Sequence, residues 1–414
     1  MIYIPLFFTP LSLILLFVAF ALAVWVLAAG WNGARATAHA PLPLTPESLS
    51  DSYFSIADGI VGEPAGITDR PRLSVVVFVT DRGNKFDNII REFSAQRTTF
   101  RYEIIVVCNA SARETASIAE RYADMTGVRF TFIPPESQNL SRRKLAFTVG
   151  IKAAEGEAVL LTGSNAVPSS HGWFQLMGEP ILGNSETNLV IGTSRFDFSS
   201  MKGVDRRYRS FLWVTDKCQS LASALAGRPY RGDWENMALR RSFFFDRKGF
   251  AHTIHIETGD DDLFIYQADC GDATVAVLAP AAMPEAEWGE WTSRIWKEQR
   301  IAYDFTRRWL PSRPFMMKGS VSLCNWLMLF AVIASSLAPL LAPVFSWLPA
   351  IVAVLMWISF QIIQIIFYRR AATRLMQPRL WISVPLFTLW RPIGNFIFRN
   401  RNREAIHRNF IWRR

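Results

Sequence analysis

The sequence predicts an α/β protein that is tethered to a membrane, and two patterns in the chain support this. Between Leu73 and Thr162, short apolar runs alternate with segments of helical spacing, which is typical of strands that pair in a parallel sheet. Near both ends of the chain, apolar stretches are long enough to span a bilayer, which needs about 20 residues. The 414 residues are 50% hydrophobic, a proportion that fits one globular domain with a few membrane segments.

The strands and helices of the domain follow from the spacing of the apolar residues. A continuous apolar run marks a strand that is buried on both faces, and four such strands are expected, at Leu73–Val79, Tyr102–Cys108, Val128–Ile133 and Ala158–Thr162. Helical spacing predicts a helix after each of the first three strands, at Phe86–Gln96, Thr115–Met125 and Leu145–Ala154. Ligands of such sheets bind at the carboxyl ends of the strands, so the functional site is expected there.

Three apolar segments predict membrane spans. The first runs from Ile4 to Gly30 without a charged residue, and since no Lys or Arg precedes Arg35, an uncleaved anchor is favoured over a cleaved signal peptide. Two further spans are expected at Ser320–Leu341 and Trp347–Tyr368. Arginines flank this pair on both sides and the turn between them carries no charge, so the positive-inside rule places the flanks and the large middle segment in the cytosol.

The chain is therefore divided into five parts: an anchor at 1–35, a Pro-rich linker at 36–70, a cytosolic domain at 71–312, two transmembrane helices at 313–370, and an interfacial helix with a basic tail at 371–414. Leu380–Phe398 mixes aromatic residues with Arg391 and two prolines, which favours a helix lying in the membrane interface. A short apolar segment packed against the domain is the alternative. The net charge of +10 indicates attraction to anionic lipid rather than to nucleic acid. The expected location is a bacterial inner membrane.

Five segments of the domain resemble, in order and spacing, motifs of the family-2 glycosyltransferases. These segments are CNASARET (108–115), TGSN (162–165), GRPYRGDWENMALRRSFFF (227–245), GFAHTIHIETGDDDLFI (249–265) and WTSRIWKEQRIAY (291–303). The resemblance covers the predicted cytosolic domain. It implies a GT-A fold, with a mixed, mostly parallel sheet flanked by helices, and a transfer reaction that uses a nucleotide-sugar donor.

Several positions depart from the family pattern. Asn109 takes the place of the acid that pairs with the nucleotide base, and Gly163 and Asn165 stand where the two acids of the DxD motif should be. Ala302 and Tyr303 replace the Arg and Trp of the QxxRW motif. The alternative to an enzyme is therefore a catalytically inactive relative that acts as a binding or assembly subunit. A small transporter is disfavoured, because the predicted spans contain no charged residue.

The resemblance implies an inverting glycosyl transfer, which needs a carboxylate to take the proton from the acceptor hydroxyl. Asp261 is the expected base, with Asp260 next. Together with Asp262 they precede an apolar run, where they are expected at a helix N-terminus. A capping cluster without chemistry is the alternative interpretation of the same three residues.

The resemblance also assigns binding residues by position. The donor side is expected to involve Thr80, Asn109, Ser111, Lys144 and Asn165, and the acceptor or phosphate side Asn236, Gln299 and Arg300. Asn165 is the one candidate ligand for Mg²⁺ or Mn²⁺, ions that prefer carboxylate oxygens. The cations of Arg142, Arg143, Lys144 and Arg300 are candidates to replace the metal at the diphosphate. The expected partners are a nucleotide sugar, a saccharide or lipid-linked acceptor and the lipid bilayer.

Overall fold

The computed structural model describes residues 13–14, 16–25, 28, 70–79, 86–134, 140–337 and 348–407. An α/β domain occupies the centre of the chain, and long apolar helices follow it. Thr80 and nearly all of the predicted linker at 36–70 lie outside the described residues, and so does the turn between the last two predicted spans.

Ten strands in the described part of the chain form two sheets. Their bounds are β1 Leu73–Phe78, β2 Tyr102–Cys108, β3 Val128–Phe132, β4 Ala158–Gly163, β5 Ala166–Val167, β6 Leu189–Ile191, β7 Arg195–Phe196, β8 Met237–Arg240, β9 Thr274–Ala276 and β10 Glu285–Ala286. The seven-stranded sheet has the order β3-β2-β1-β4-β8-β6-β9, and the small sheet has the order β5-β10-β7. Strands β1 to β4 pair in parallel, and β8 runs antiparallel to both of its neighbours. The predicted mixed, mostly parallel sheet is confirmed.

The helices surround the sheet and then continue past the domain. Their bounds are α1 Leu16–Trp25, α2 Phe86–Ser94, α3 Ala112–Glu120, α4 Arg142–Ala153, α5 Trp173–Leu182, α6 Gly203–Leu225, α7 Arg241–Asp246, α8 Leu263–Ala268, α9 Thr292–Thr306, α10 Ser312–Leu337, α11 Leu348–Arg374, α12 Ser383–Arg401 and α13 Arg403–His407. The helix expected at Thr115–Met125 begins earlier, because Ser111 and Glu114 form a capping box at its start.

The continuous apolar runs of the strands are explained by packing on both faces of the sheet. On one face, Val76 and Leu161 pack in a cluster with Phe147 of α4. On the other face, Val75 and Leu160 pack with the aromatic side chains of α2 and α5. Since neither face meets water, alternation of apolar and polar residues is absent from these strands.

Among the described residues, two helices are long and apolar enough to cross a membrane, over Ser312–Ala334 with a mean hydropathy of 1.5 and over Leu348–Arg374 with 2.3, and the first predicted span, Ile4–Gly30, lies partly outside these residues. The first of these begins before the predicted span at Ser320. Alanines of α1 pack against both helices in a small apolar cluster. The segment expected at the interface forms α12, and its Arg391 donates to the Ser322 hydroxyl of α10 at 2.7 Å. Helix α12 therefore packs directly on the first candidate span.

Candidate functional site

The N-terminus of α4 connects three parts of the predicted site. Arg142 donates to the Asn109 side chain at the carboxyl end of β2. Arg143 donates to Oδ1 of Asp260 at 2.5 Å, and Lys144 binds the loop that leads to the acids. Three consecutive basic residues thus reach three different segments, because successive helical side chains point about 100° apart. This brings the predicted donor-side residue Asn109 and the predicted acids to one edge of the sheet.

Lys144 is fully buried, and backbone carbonyl groups surround its ammonium group. Its Nζ donates to the carbonyl oxygens of Thr253 at 2.7 Å, Ile256 at 3.1 Å and Thr258 at 2.7 Å. These contacts use all three N–H donors of the ammonium group. Burial lowers the pKa of Lys144 to about 8. Lys144 thus stabilises the loop before the acids. To contact the donor as predicted, its ammonium group would have to replace one of these carbonyl oxygens with a phosphate oxygen.

The three acids Asp260, Asp261 and Asp262 make separate contacts. Only Asp262 caps α8, accepting from the Leu263 backbone N–H at 2.7 Å. Asp260 pairs with Arg143, and its second oxygen is buried without a hydrogen-bond partner among the described residues. These contacts argue against a cluster whose sole role is to cap the helix, since two of the three carboxylates do not bond to its N-terminus.

Asp261 has the environment of a carboxyl group with a raised pKa. It is 3% exposed, and its Oδ2 accepts from the hydroxyl of Tyr303 at 2.7 Å. Burial, together with the neighbouring charges of Asp260 and Asp262, raises the pKa of Asp261 to about 8 against the opposing influence of Arg143. A carboxylate with a pKa near neutrality is suited to take up a proton from a hydroxyl group.

The DxD position at the end of β4 is occupied by an aromatic ring and a cation. A Cβ atom added to Gly163 would lie 2.9 Å from Cζ3 of Trp234, so an acid at position 163 would require the indole to shift. The guanidinium of Arg143 lies over the same indole, 4.4 Å from its centroid. Burial lowers the pKa of Arg143, but the charges of Asp260 and Asp261 outweigh this and raise it. A permanent positive charge therefore lies close to the position from which the acid is missing.

Asn165 is tied to the backbone of the small sheet. Its Nδ2 donates to the Glu287 carbonyl at 3.0 Å, and the Glu287 N–H donates to the Asn165 carbonyl at 3.0 Å. With glycine at 163, this position offers only one neutral amide oxygen to an ion. No group of three His, Cys, Asp or Glu side chains in the described ranges is placed to hold a metal. The described donor set at this position, one neutral amide oxygen, does not fit a tightly bound Mg²⁺ or Mn²⁺.

Asn236 and Ser111 have structural partners. Asn236 accepts from the Trp173 indole N–H at 2.9 Å and donates to the carbonyls of Thr193 and Ala282 at 3.0 and 2.7 Å. Its side chain holds the segment that carries Trp234 against the sheet. Ser111 accepts from the Glu114 N–H at 3.3 Å as the cap of α3.

Gln299 and Arg300 lie on α9, the helix that also carries Tyr303. Gln299 approaches the Tyr303 hydroxyl at 3.5 Å, and Arg300 donates to Asn395 Oδ1 of α12 at 2.6 Å. Both residues and Tyr303 line a cavity of about 370 Å³. Gln299 is thus connected to Asp261 through Tyr303, whereas Arg300 bonds to α12.

Arg231 was not predicted as a site residue. Its guanidinium stacks on Tyr303, 3.8 Å from the ring centroid, and lies 3.8 Å from Oδ2 of Asp262. A guanidinium from the segment before β8 thus lies beside the residue that replaces the tryptophan of the QxxRW motif, whose own arginine is absent at Ala302. The segment GRPYRGDWEN contained Arg231, but nothing in its local spacing indicated the contact with Tyr303.

Glu235 is a second buried acid that sequence analysis did not single out. Asp233, two residues before it, accepts from Lys217 at 2.6 Å. The Glu235 carboxyl group accepts from the Ser194 hydroxyl at 3.3 Å, and burial together with the charge of Asp233 raises its pKa. The compact segment 231–236 therefore contributes two acids, one arginine and one tryptophan to the site.

A protein-family model matches the part of the chain that contains β2 to β4 and the segment 231–236. Residues 74–247 match the family model described as "Glycosyl transferase family 2". No curated protein matches the sequence significantly. The resemblance to family-2 glycosyltransferases that the motifs predicted is confirmed.

Solved glycosyltransferase structures show distant similarity. The mannosyltransferase PcManGT from Pyrobaculum calidifontis, in complex with GDP-Man and Mn²⁺, is 16% identical, with 91% of this chain and 99% of that chain covered and a TM-score of 0.45. S. aureus TarS 1-349, in complex with UDP-GlcNAc, is 12% identical over 78% of this chain and 92% of that chain, with a TM-score of 0.35. Glucosyl-3-phosphoglycerate synthase from Mycobacterium tuberculosis is 13% identical over 56% of this chain and 78% of that chain, with a TM-score of 0.34. With TM-scores below 0.5, these similarities do not bear on the donor, the metal or the acceptor of this chain.

Proposed function

We propose that the chain transfers a sugar from a nucleotide-sugar donor to a saccharide or lipid-linked acceptor at the cytosolic face of a membrane, since residues 74–247 match the family model of the family-2 glycosyltransferases. The observation that carries this proposal is the buried Asp261 carboxyl group, which lies in one site with the Arg143 cation at the carboxyl end of β4. A base and a positive charge are the two groups that the reaction needs from the protein.

In the proposed reaction, the acceptor hydroxyl attacks the anomeric carbon while the bond from that carbon to the diphosphate oxygen breaks. Asp261 takes the hydroxyl proton, with Asp260 as the second candidate. Tyr303 holds the Asp261 carboxylate in position, and Arg231 fixes the tyrosine ring by stacking on it at 3.8 Å. The hydrogen bond from Tyr303 orients the base without removing its proton-accepting capacity, since the carboxylate has a second oxygen.

Positive charge is needed where the diphosphate leaves. We assign this role to Arg143, because its guanidinium lies over Trp234 beside Gly163 and is 27% exposed in its side chain. Arginine binds phosphate oxygens through paired N–H groups and stays charged at every relevant pH. The remaining donor contacts, from Thr80, Asn109, Ser111 and Asn165, are proposals from position alone.

Donor binding tests the proposed function. The full chain, purified in a neutral detergent, is titrated calorimetrically with a panel of nucleotide sugars that includes GDP-mannose and UDP-GlcNAc, with Mn²⁺ and with a chelator. We expect one donor to bind, with an affinity that the chelator changes by less than about tenfold, and Arg143→Met to weaken it by about tenfold or more. Absence of binding to any donor supports the inactive binding or assembly subunit instead. That alternative is favoured by the three degraded motifs at Asn109, Gly163 and Ala302.

A further inference from the structure

The cavity of about 370 Å³ lies where the α/β domain meets the first candidate span. Helices α6 and α9 form its domain side, and the first half of α10 and the second half of α12 form its membrane side. Seven of its lining residues are Lys or Arg and only two, Asp216 and Asp304, are acids. A cavity of this size matches sites for small ligands, which typically measure about 300–1,000 Å³.

Four of the cations in the cavity wall have carboxylate partners. Lys318 pairs with Asp216, Arg399 with Asp304 at 2.7 Å, Lys217 with Asp233 at 2.6 Å, and Arg231 lies 3.8 Å from Asp262. Seven cations less these four acids leave three positive charges around the cavity.

The three remaining cations, Arg300, Arg307 and Arg391, have no carboxylate within 4 Å in the described ranges. Arg300 donates to the Asn395 amide, and Arg307 lies 4.7 Å from the ring centroid of Phe315. Arg391 is 5% exposed and donates to the Ser322 hydroxyl and the Lys318 carbonyl. Burial, together with the charge of Arg399, lowers the pKa of Arg300 and of Arg307, and the charge of Asp304 only partly opposes this.

A buried guanidinium without a counter-ion is costly, because arginine does not lose its proton in proteins and its desolvation is offset only by an anion. Arg391 is such a group, and the half-buried Arg300 and Arg307 add two further positive charges to the same cavity, which indicates that an anion completes the site. A phosphate or diphosphate group matches the count of positive charges and the fork geometry of arginine.

The membrane side of the cavity indicates what carries this anion. Phe315, Leu323 and Trp326 of α10 line the cavity, and Leu323 is also 58% exposed on the apolar surface of the candidate span. An apolar chain can therefore lie along α10 while a charged head group enters the cavity. On the opposite side, Tyr303 lines the cavity and donates to Asp261 at 2.7 Å.

From these observations we infer that the cavity binds the phosphate or diphosphate group of a lipid-linked acceptor, with Arg300, Arg307 and Arg391 as its ligands. This inference rests on the proposed function and narrows it. It names a phosphate-bearing lipid as the acceptor class and places its head group next to the tyrosine that holds the base.

Lipid binding by the full chain tests the inference. Thermal unfolding in neutral detergent micelles is followed with three additives, which are polyprenyl phosphate, polyprenol without phosphate, and inorganic pyrophosphate. We expect polyprenyl phosphate to raise the unfolding temperature in a saturable manner, and the two other additives to need at least about tenfold higher concentration. Equal stabilisation by pyrophosphate would identify a free-anion site, and equal stabilisation by polyprenol would identify a purely apolar site. Either result overturns the inference.

Variants assign the effect to the cavity. Arg307→Gln and Arg391→Met should each weaken polyprenyl phosphate binding about tenfold or more. If Arg391→Met does not fold, Arg300→Gln replaces it, with the same expected weakening. The matched control is Arg313→Gln, an exposed cation on α10 that does not line the cavity. Equal weakening by the control would show general attraction to anionic lipid and would contradict the assignment.

Donor binding and lipid-phosphate binding can be measured separately, so the acceptor class and the proposed sugar transfer can be refuted independently. Arg307→Gln should keep the affinity of the wild-type chain for its nucleotide sugar, measured by the same calorimetric titration. Donor binding without selective lipid-phosphate binding would refute the acceptor class alone. Selective lipid-phosphate binding without donor binding would refute glycosyl transfer while leaving the anion site in place.

Discussion

At the scale of single residues, the site is built from charged groups that are removed from water and held by specific partners. Asp261 is held by Tyr303, Asp260 by Arg143 and Lys144 by three carbonyl oxygens. Each contact is largely shielded from water, so a change of one side chain can leave its partner without a hydrogen bond. Predictions for individual residues follow directly from these pairs.

Asp261→Asn should abolish transfer with little loss of stability. The amide retains an acceptor for the Tyr303 hydroxyl but cannot take a proton, so turnover should fall about 10²–10⁴-fold while donor affinity is nearly unchanged. The measurement is initial transfer rate and calorimetric donor affinity, with the exposed Asp246→Asn as control. Unchanged turnover in Asp261→Asn would remove the base assignment and leave Asp260 as the candidate.

The pH dependence of the same residue has a definite sign. The pKa of Asp261 in the folded chain is raised from 3.8 to about 8. Transfer by the wild-type chain should therefore increase with pH up to about 8, as the base ionises. The effect on stability has the opposite sign. The unfolded chain releases this proton at lower pH than the folded chain, so the free energy of unfolding decreases as the pH rises from about 4 to about 8. At pH 8, Asp261→Asn should unfold at a temperature equal to or above that of the wild type, and a clearly lower temperature contradicts the raised pKa.

Gly163→Ala should destabilise the chain only while Trp234 is present. Its Cβ would lie 2.9 Å from Cζ3 of the indole, and such overpacking costs about 1–3 kcal/mol. In a Trp234→Ala background, the same change should cost less than about 0.5 kcal/mol, which a double-mutant cycle on thermal unfolding measures. Gly172→Ala, whose Cβ meets nothing nearer than 3.8 Å, is the control. Equal cost in both backgrounds would show that Trp234 does not exclude a side chain from this position.

At the scale of elements, the first turn of α4 organises the site. Its three basic residues link β2, the acid cluster and the loop before α8. Basic residues at a helix N-terminus are unfavourable to the helix dipole, and this helix has no side-chain cap. The cost is offset by the buried partners, which indicates that the position of these charges matters more than the stability of α4 alone.

Arg143→Gln and Arg142→Gln should differ sharply in their effect on stability. Removing Arg143 leaves the 1% exposed side chain of Asp260 buried without a cation, which is expected to cost about 3 kcal/mol. Arg142 bonds to the exposed Asn109, and its loss should cost less than about 1 kcal/mol. Thermal unfolding of both variants at pH 7.5 provides the comparison. Similar melting temperatures would show that Asp260 finds another partner.

At the scale of the whole molecule, apolar helices from both ends of the chain meet beside the domain. Residues of α1, α10 and α11 share one apolar cluster, and α12 packs on α10 through Arg391. The domain thus rests against the candidate spans, and the cationic cavity lies at their junction. This arrangement suits an acceptor that stays in the lipid while its charged end reaches the site.

Reporter fusions test the orientation of the whole chain. The positive-inside rule predicts that the hairpin tip near residue 345, which lies outside the described residues, faces away from the cytosol, whereas the domain and the C-terminus face it. Alkaline phosphatase inserted at 345 should be active, and a fluorescent protein fused after residue 414 should fluoresce. The same phosphatase inserted at the exposed Asp246 is the control and should be inactive. The reverse pattern would place the site on the wrong side for a cytosolic nucleotide sugar.

The sequence by itself determined the strands β1 to β4, the helices between them, the two long apolar helices α10 and α11, and the position of three acids before an apolar run. These features depend on periodicity over a few residues, so local reading suffices. Only the tertiary structure decided which partners the charged side chains contact. Arg143 and Asp260 are 117 positions apart, and Tyr303 and Asp261 are 42 apart. Such pairs form because a buried charge is stabilised by a partner of opposite charge or by a hydrogen bond. Which residue becomes the partner depends on the tertiary fold, and the spacing of residues along the chain does not indicate it.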